Sequence, residues 1–151
     1  MIRFVRLDRH LLARLVEEER DPHQGEMARM DETIEKMMTA SSYGLAYAML
    51  DGAEVPIGGA LLPHFYGHGE ACCFVSRLAR PRHIVVAARW ARAFLDRRQR
   101  HPQFRRVQMF VRTNEDWSTS FPEALGFKFE GVHEAWDAIG RDYYCFARVR
   151  R

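Results

Sequence analysis

Between Gly69 and Gly126 this 151-residue chain contains no glycine. Loops that bring ligand oxygens close to backbone N–H groups usually depend on glycine, so an ordinary glycine-rich phosphate cradle is excluded from the middle of the chain. No run of about 18 apolar residues is present, which excludes a membrane-spanning helix. The opening Met1-Ile2-Arg3-Phe4 lacks the charged-then-apolar layout of a secretory leader, and a non-exported, cytoplasmic protein is expected. Cys72, Cys73 and Cys145 are odd in number and show no C-x-x-C spacing, so neither a disulfide framework nor a metal site is expected. All three lie in apolar, strand-like surroundings that suit buried reduced thiols. Lysine is nearly missing, with 21 Arg against 2 Lys, yet the net charge is only +3. The surface is mildly basic, and nothing in the charge requires a nucleic-acid partner.

What is present fits one folded domain over residues 1–151, with 47% hydrophobic and 12% aromatic residues to build a core. Residues 2–7 alternate apolar and basic side chains, as a strand does. Asp8 suits the N-cap of a helix reaching about Glu19, with Leu11, Leu12, Leu15 and Val16 on one face. After a turn at 21–25, the spacing of Met27, Met30, Ile34, Met37 and Met38 predicts a second helix over 26–39. That stripe suits core packing, with an adaptable substrate wall as the functional alternative. Strands follow over 43–50 and 55–65 around the turn Asp51-Gly52, and Gly58-Gly59 suggests a bulge or a close approach.

A strand over 70–76, an Arg-rich loop and a helix from about His83 to Arg98 come next. In such a strand–loop–helix unit the first N–H groups of the helix point into the loop, where anions bind. Seven arginines fall within 89–106, but no aromatic platform interleaves them, so a solvated helix face explains them better than a nucleic-acid groove. A strand over 107–112 leads to a helix start at 113–116 and a short helix interrupted by Pro122. A final hairpin pairs 128–132 with 142–149. The order β-α-α-β-β-β-α-β-α-β-β predicts an α+β fold with a mixed, mostly antiparallel sheet flanked by helices.

Local motifs sharpen that reading. Val75 is followed five positions later by Arg80, and Arg112-Thr113-Asn114-Glu115 ends a strand. Leu125-Gly126-Phe127-Lys128-Phe129-Glu130-Gly131-Val132 and Gly140-Arg141-Asp142-Tyr143-Tyr144 frame the last hairpin. With the element order, these make nearly the whole chain resemble the GNAT (Gcn5-related N-acetyltransferase-like) superfamily, phage-encoded members included. The resemblance implies acetyl-CoA as donor and an amine, on a small molecule or a protein, as acceptor. It places the backbone of Phe74 and Val75 along the pantetheine arm. Arg80, Arg82, His83, Ile84 and Val85 fall at the pyrophosphate loop, and Asn114 beside the cofactor.

Three departures stand out against the family pattern. His83 and Val85 occupy places kept for small residues, Pro81 removes a donor, and Phe121-Pro122 stands where the family carries its acid tyrosine. A general base is easier to supply: Glu70 on the central strand, with His68 or His64 as alternatives, although each also reads as an ordinary surface charge. On the last hairpin, Asp142 and Tyr143 read equally as acceptor-facing residues and as strand-edge packing with turn hydrogen bonds. Two functions follow from the resemblance. One is a divergent N-acyltransferase with a degenerate loop. The other is a catalytically inactive module for protein assembly or regulation, such as a part of a phage particle. Trp136, Tyr143, Tyr144 and Phe146 would suit pairing of the last strands into a homodimer, with core packing the favoured use of at least two of them.

Overall fold

Alternation makes Ile2–Arg6 a strand, β1, and Asp8 begins the helix after it. The Asp8 carboxylate accepts the Leu11 N–H at 2.8 Å, satisfying one donor that a helix start leaves open, and α1 runs Arg9–Glu17. The computed structural model describes residues 1–21, 31–114 and 117–151. The expected start of the second helix, with Met27 and Met30, lies outside the described residues. Its described part, α2 (Asp31–Ser42), runs three residues past the predicted end, and it buries Met37. Tyr43 and Gly44, expected in a strand, form the turn after it.

The remaining strands are β2 (Ala46–Asp51), β3 (Glu54–Phe65), β4 (His68–Val75), β5 (Arg106–Arg112), β6 (Lys128–His133) and β7 (Tyr143–Val149). The helices after α2 are α3 (Pro81–Arg98), a short 3-10 turn at Pro102–Phe104, and α4 (Ser120–Ala124). The seven strands form one sheet in the order β1-β2-β3-β4-β5-β7-β6. β4 and β5 run parallel, as a pair joined through a crossover helix can, while β1–β2, β2–β3, β5–β7 and β6–β7 are antiparallel. The mixed, mostly antiparallel sheet read from the sequence is the one found. No helix of the described residues is long and apolar enough to cross a membrane.

The chain forms two compact units, one of residues 1–62 and 72–87, the other of 63–71 and 88–151. The first is centred on the buried side chains of Leu12, Leu15, Met37, Met49 and Leu61. Gly58 and Gly59 mark a close approach there. A Cβ on Gly59 would lie 2.7 Å from the Cys72 carbonyl oxygen, and one on Gly58 would lie 2.3 Å from Leu15 Cδ1. The ladder irregularity falls elsewhere, between Met49 and Asp51. Because a strand carbonyl cannot swing aside like a side-chain end, Gly59→Ala is expected to cost about 1–3 kcal/mol in urea unfolding.

The second unit is built on Val107, Met109, Leu125, Phe127 and Phe146. Pro122 sits in the first turn of α4, where its missing N–H is no loss, so it does not interrupt the helix. Gly126 ends it at φ +85°: its N–H bonds to Glu123 at 2.9 Å and the Phe127 N–H reaches back to Pro122 at 3.0 Å. That is a Schellman close, and it explains the Leu-Gly-Phe motif physically. Between β6 and β7 the Asp137 carboxylate accepts the N–H groups of Ile139 and Arg141 and the Arg141 Nε, at 2.5–3.2 Å. Burial pushes its pKa up, but the bonds from Arg141 and Ile139 outweigh it and hold the carboxyl at about 2.

Candidate active site

The segment expected to hold an anion begins where β4 ends. α3 starts at Pro81, two residues before the predicted His83. Proline has the right φ for a first helical position and lacks an N–H that would be unpaired there. His83, two residues further on, turns its ring back so that Nδ1 accepts the Arg80 N–H at 3.1 Å. A Glu or Gln plays that part in a capping box; here an imidazole does. An accepting Nδ1 puts the proton on Nε2, which donates to Asp51 Oδ2 at 3.0 Å. The His83 side chain is 0% exposed. The His83 bond, helped by Arg82 at 2.5 Å, holds the Asp51 carboxyl below its ordinary pKa. Arg80 in turn reaches Glu54 at 3.1 Å.

The N–H groups of the loop already have partners within the protein. Ser76 N–H bonds to Pro56 O (2.9 Å), Arg77 to Glu18 O (2.7 Å), and Ala79 to Ser76 O (3.0 Å). Leu78 N–H bonds to Ser76 Oγ at 3.0 Å, and Arg80 N–H is held by His83. Every N–H from Ser76 to Arg80 is spent inside the protein, and Pro81 has none. The Val75 carbonyl is also taken, by Arg20 N–H at 3.2 Å, so the segment after α1 runs antiparallel to 75–77. Phe74 and Val75 are buried, Ile84 is half-buried and Val85 exposed. A pyrophosphate held by backbone needs unspent N–H groups, and residues 76–81 do not supply them. The cationic side chains of this segment, Arg77, Arg80 and Arg82, are exposed and ion-paired with Glu18, Glu54 and Asp51.

In the second unit, His64 Nε2 and Glu70 Oε2 are 2.9 Å apart. Glu70 opposes Gln108 in the last pair of the β4–β5 ladder. His68 stacks on Phe65 with centroids 4.3 Å apart. Asn114 lies in an exposed turn after β5, and Phe121 and Pro122 are buried. Asp142 caps the Ala135 N–H at 2.9 Å, and the Tyr143 hydroxyl lies 3.3 Å from Asp137. Back in the first unit, burial and the charge of Glu19 push the Cys73 thiol far up, leaving no thiolate for nucleophilic chemistry. Among the described residues no cluster of three metal-ligating side chains exists.

Glu19 has no counterpart in the sequence reading, where it is merely the last of three glutamates closing a helix. It is only 8% exposed. Its Oε1 accepts the Asp21 N–H at 3.3 Å, whereas Oε2 is buried without a hydrogen-bond partner. Burial raises its pKa from 4.5 to about 7; the Asp21 N–H opposes that and the Asp21 charge adds to it. For an acid raised on folding, the penalty is absent below the unfolded pKa, grows from about pH 4.5, and is complete above about pH 7. Glu19→Gln is therefore expected to stabilise the protein by up to about 3 kcal/mol at pH 8 and by little at pH 4.5, measured by urea unfolding.

No protein-family model matches the chain, and no curated protein does. Solved structures do. A probable acetyltransferase from Staphylococcus epidermidis ATCC 12228 superposes at TM-score 0.75 with 11% identity, covering 100% of each chain. An N-acetyltransferase from Staphylococcus aureus Mu50 gives TM-score 0.72 and 10% identity over 99% of this chain and 98% of that one. A GNAT-family acetyltransferase from Bacillus cereus ATCC 10987 gives 0.66 and 14%, over 100% and 99%. Identity at that level speaks for architecture alone, and the match runs from end to end. The chain has the fold of the GNAT acetyltransferases.

Proposed function

We propose that this chain transfers an acyl group to an amine, with the His64–Glu70 pair taking up the proton of the ammonium. The observation that carries this reading is the 2.9 Å imidazole–carboxylate contact at the point on β4 where pairing with β5 ends. Both groups are partly open to solvent, at 51% and 34%. A carboxylate that orients an imidazole makes a competent acceptor, and removing the proton frees the nitrogen lone pair for attack on an acyl carbonyl. The donor expected for this fold is acyl-CoA. At the start of α3 phosphate binding depends on Arg80 and Arg82 exchanging the carboxylates of Glu54 and Asp51 for phosphate oxygens, in place of a backbone cradle.

A second reading is favoured by that same helix start: a GNAT-fold module without acyl transfer, serving in assembly or regulation. Spent donors from Ser76 to Arg80, a buried His83 and a proline at the acid position all support it. One titration separates the two. Acetyl-CoA and coenzyme A are titrated calorimetrically into wild type and into Arg80→Ala/Arg82→Ala, followed by a thiol-release assay with a panel of primary amines. Micromolar binding that weakens at least tenfold in the double variant, with amine-dependent thiol release, supports the enzyme. No heat and no thermal shift at millimolar acetyl-CoA sinks it and leaves the module.

A further inference from the structure

The seven arginines within 89–106 take no part in the acyl-transfer reading. The dipole of α3 accounts for Arg97 and Arg98, which sit in its last turn, where a helix end attracts cations. It does not account for the arginines past the helix. Arg100, His101 and Arg105 line a groove of about 250 Å³ together with Arg150 and Arg151, beyond the end of β7, and no carboxylate side chain of the described residues lines it. The guanidiniums of Arg100, Arg105 and Arg151 make no ion pair or hydrogen bond among the described residues. Arg150 sends Nη1 to the Gln99 carbonyl at 2.7 Å, which leaves its charge uncompensated. The groove is a built one. Gln99, 6% exposed, donates from Nε2 to the carbonyls of Phe104 and Arg148, at 3.2 Å each, and the Arg150 N–H bonds to Arg105 O at 2.8 Å. The end of α3, the 3-10 turn and the end of β7 are thereby tied together, and their arginines are held side by side although like charges repel. A wider groove of about 860 Å³ shares Arg100, Arg150 and Arg151 and adds Lys128. Its two carboxylates, Asp96 and Glu130, are already taken by Arg148 and Arg106.

The aromatic surface that the sequence lacks around these arginines is brought in by the fold. Phe65 and Tyr66, 64% and 76% exposed, form the tip between β3 and β4. Gly67 turns that tip at φ +88°, and its carbonyl accepts the Arg106 N–H at 2.8 Å. A Cβ built on Gly67 would lie 4.0 Å from the carbonyl oxygen of Pro102, which lines the smaller groove. Two exposed rings therefore stand beside uncompensated guanidiniums, all within the second compact unit. We propose that this face binds a single strand of nucleic acid, with its phosphates along Arg100, Arg105 and Arg151 and its bases on the Phe65–Tyr66 tip. Single-strand sites combine those two parts, a cationic track for the backbone and ring faces on which any base stacks. A duplex keeps its bases stacked on one another and offers none to the rings. The inference stands on this geometry and not on acyl transfer.

The test is fluorescence anisotropy of the full chain with labelled oligothymidylate and oligouridylate of about 12 nucleotides, which separate a DNA strand from an RNA strand. Expected is saturable binding of at least one strand at about 50 mM salt, falling roughly 20- to 50-fold at about 200 mM, as three to four phosphate contacts require. Arg100→Ala/Arg105→Ala is expected to weaken binding at least tenfold and to flatten the salt dependence. Arg3→Ala/Arg89→Ala removes the same charge from exposed positions outside the groove and is expected to weaken it by less than about threefold. Tyr66→Ala is expected to cost about fivefold or more, whereas Tyr66→Phe keeps the ring and should bind like wild type. A labelled duplex of the same length, and polyphosphate as competitor, should each bind at least tenfold more weakly than the strand. No saturable binding by folded wild type at the lower salt, or an affinity unchanged in Tyr66→Ala or in Arg100→Ala/Arg105→Ala, overturns the proposal. Duplex or polyphosphate bound as tightly as the strand overturns it too, and reduces the groove to a general anion surface.

Discussion

Glu70→Gln is expected to lower amine acylation by about 10²–10⁴-fold, the range that a positioned general base contributes. Gln keeps the size of the side chain and its place in the β4 ladder, so the fold gives no reason for a loss. Glu70 is partly exposed and its carboxylate meets the half-exposed His64, so thermal stability should stay within about 0.5 kcal/mol of wild type. His64→Ala leaves the carboxylate and removes its partner, and a smaller fall, about tenfold, is expected with a changed pH profile. The measurement is thiol release against pH for the three proteins at saturating amine. Equal rates in wild type and Glu70→Gln would reduce the pair to a surface contact.

His83→Ala is expected to destabilise the protein by about 2–4 kcal/mol, combining a lost helix cap with a cavity at a fully buried site. For a chain of this size that corresponds to a fall in Tm of roughly 5–15 °C. The cause is specific. The Arg80 N–H loses the imidazole that closes the first turn of α3, and Asp51 loses the bond that links its hairpin to the helix. His83→Gln gives a control with a sharper expectation, because Gln at this helix position makes the same backward bond in a capping box. About half of the lost stability should return. If His83→Ala and His83→Gln melt alike, and like wild type, the cap is not what holds this helix start.

Much of the fold was legible because its signals are local. Alternation in 2–7 and 107–112, the Asp8 cap and the Leu-Gly-Phe close of α4 each depend on residues within a few positions of one another. The order of elements along the chain and the mixed, mostly antiparallel character of the sheet agreed, because two hairpins and one crossover helix leave few alternatives. Pro122 misled the reading, since a proline breaks a helix interior but fits its first turn, and the difference is a matter of where the helix begins. The start of α3 moved for a related reason: an imidazole doing the work of a capping glutamate carries no familiar sequence signature.

The site divides along the same line. By itself, the sequence determined the composition of the anion loop: no glycine, a proline, and histidine and valine in place of small residues. It also put Glu70 on the central strand, close to two histidines. Only the tertiary structure decided that the loop N–H groups are spent, that His83 rather than solvent faces Asp51, and that His64 is the histidine that meets Glu70. It alone set Glu19 apart from Glu17 and Glu18, its chemically identical neighbours. Spacing reports what a residue is and which way its own element turns. Burial, a missing partner and a shifted pKa come from what the rest of the chain packs against it, and those contacts are made by residues tens of positions away.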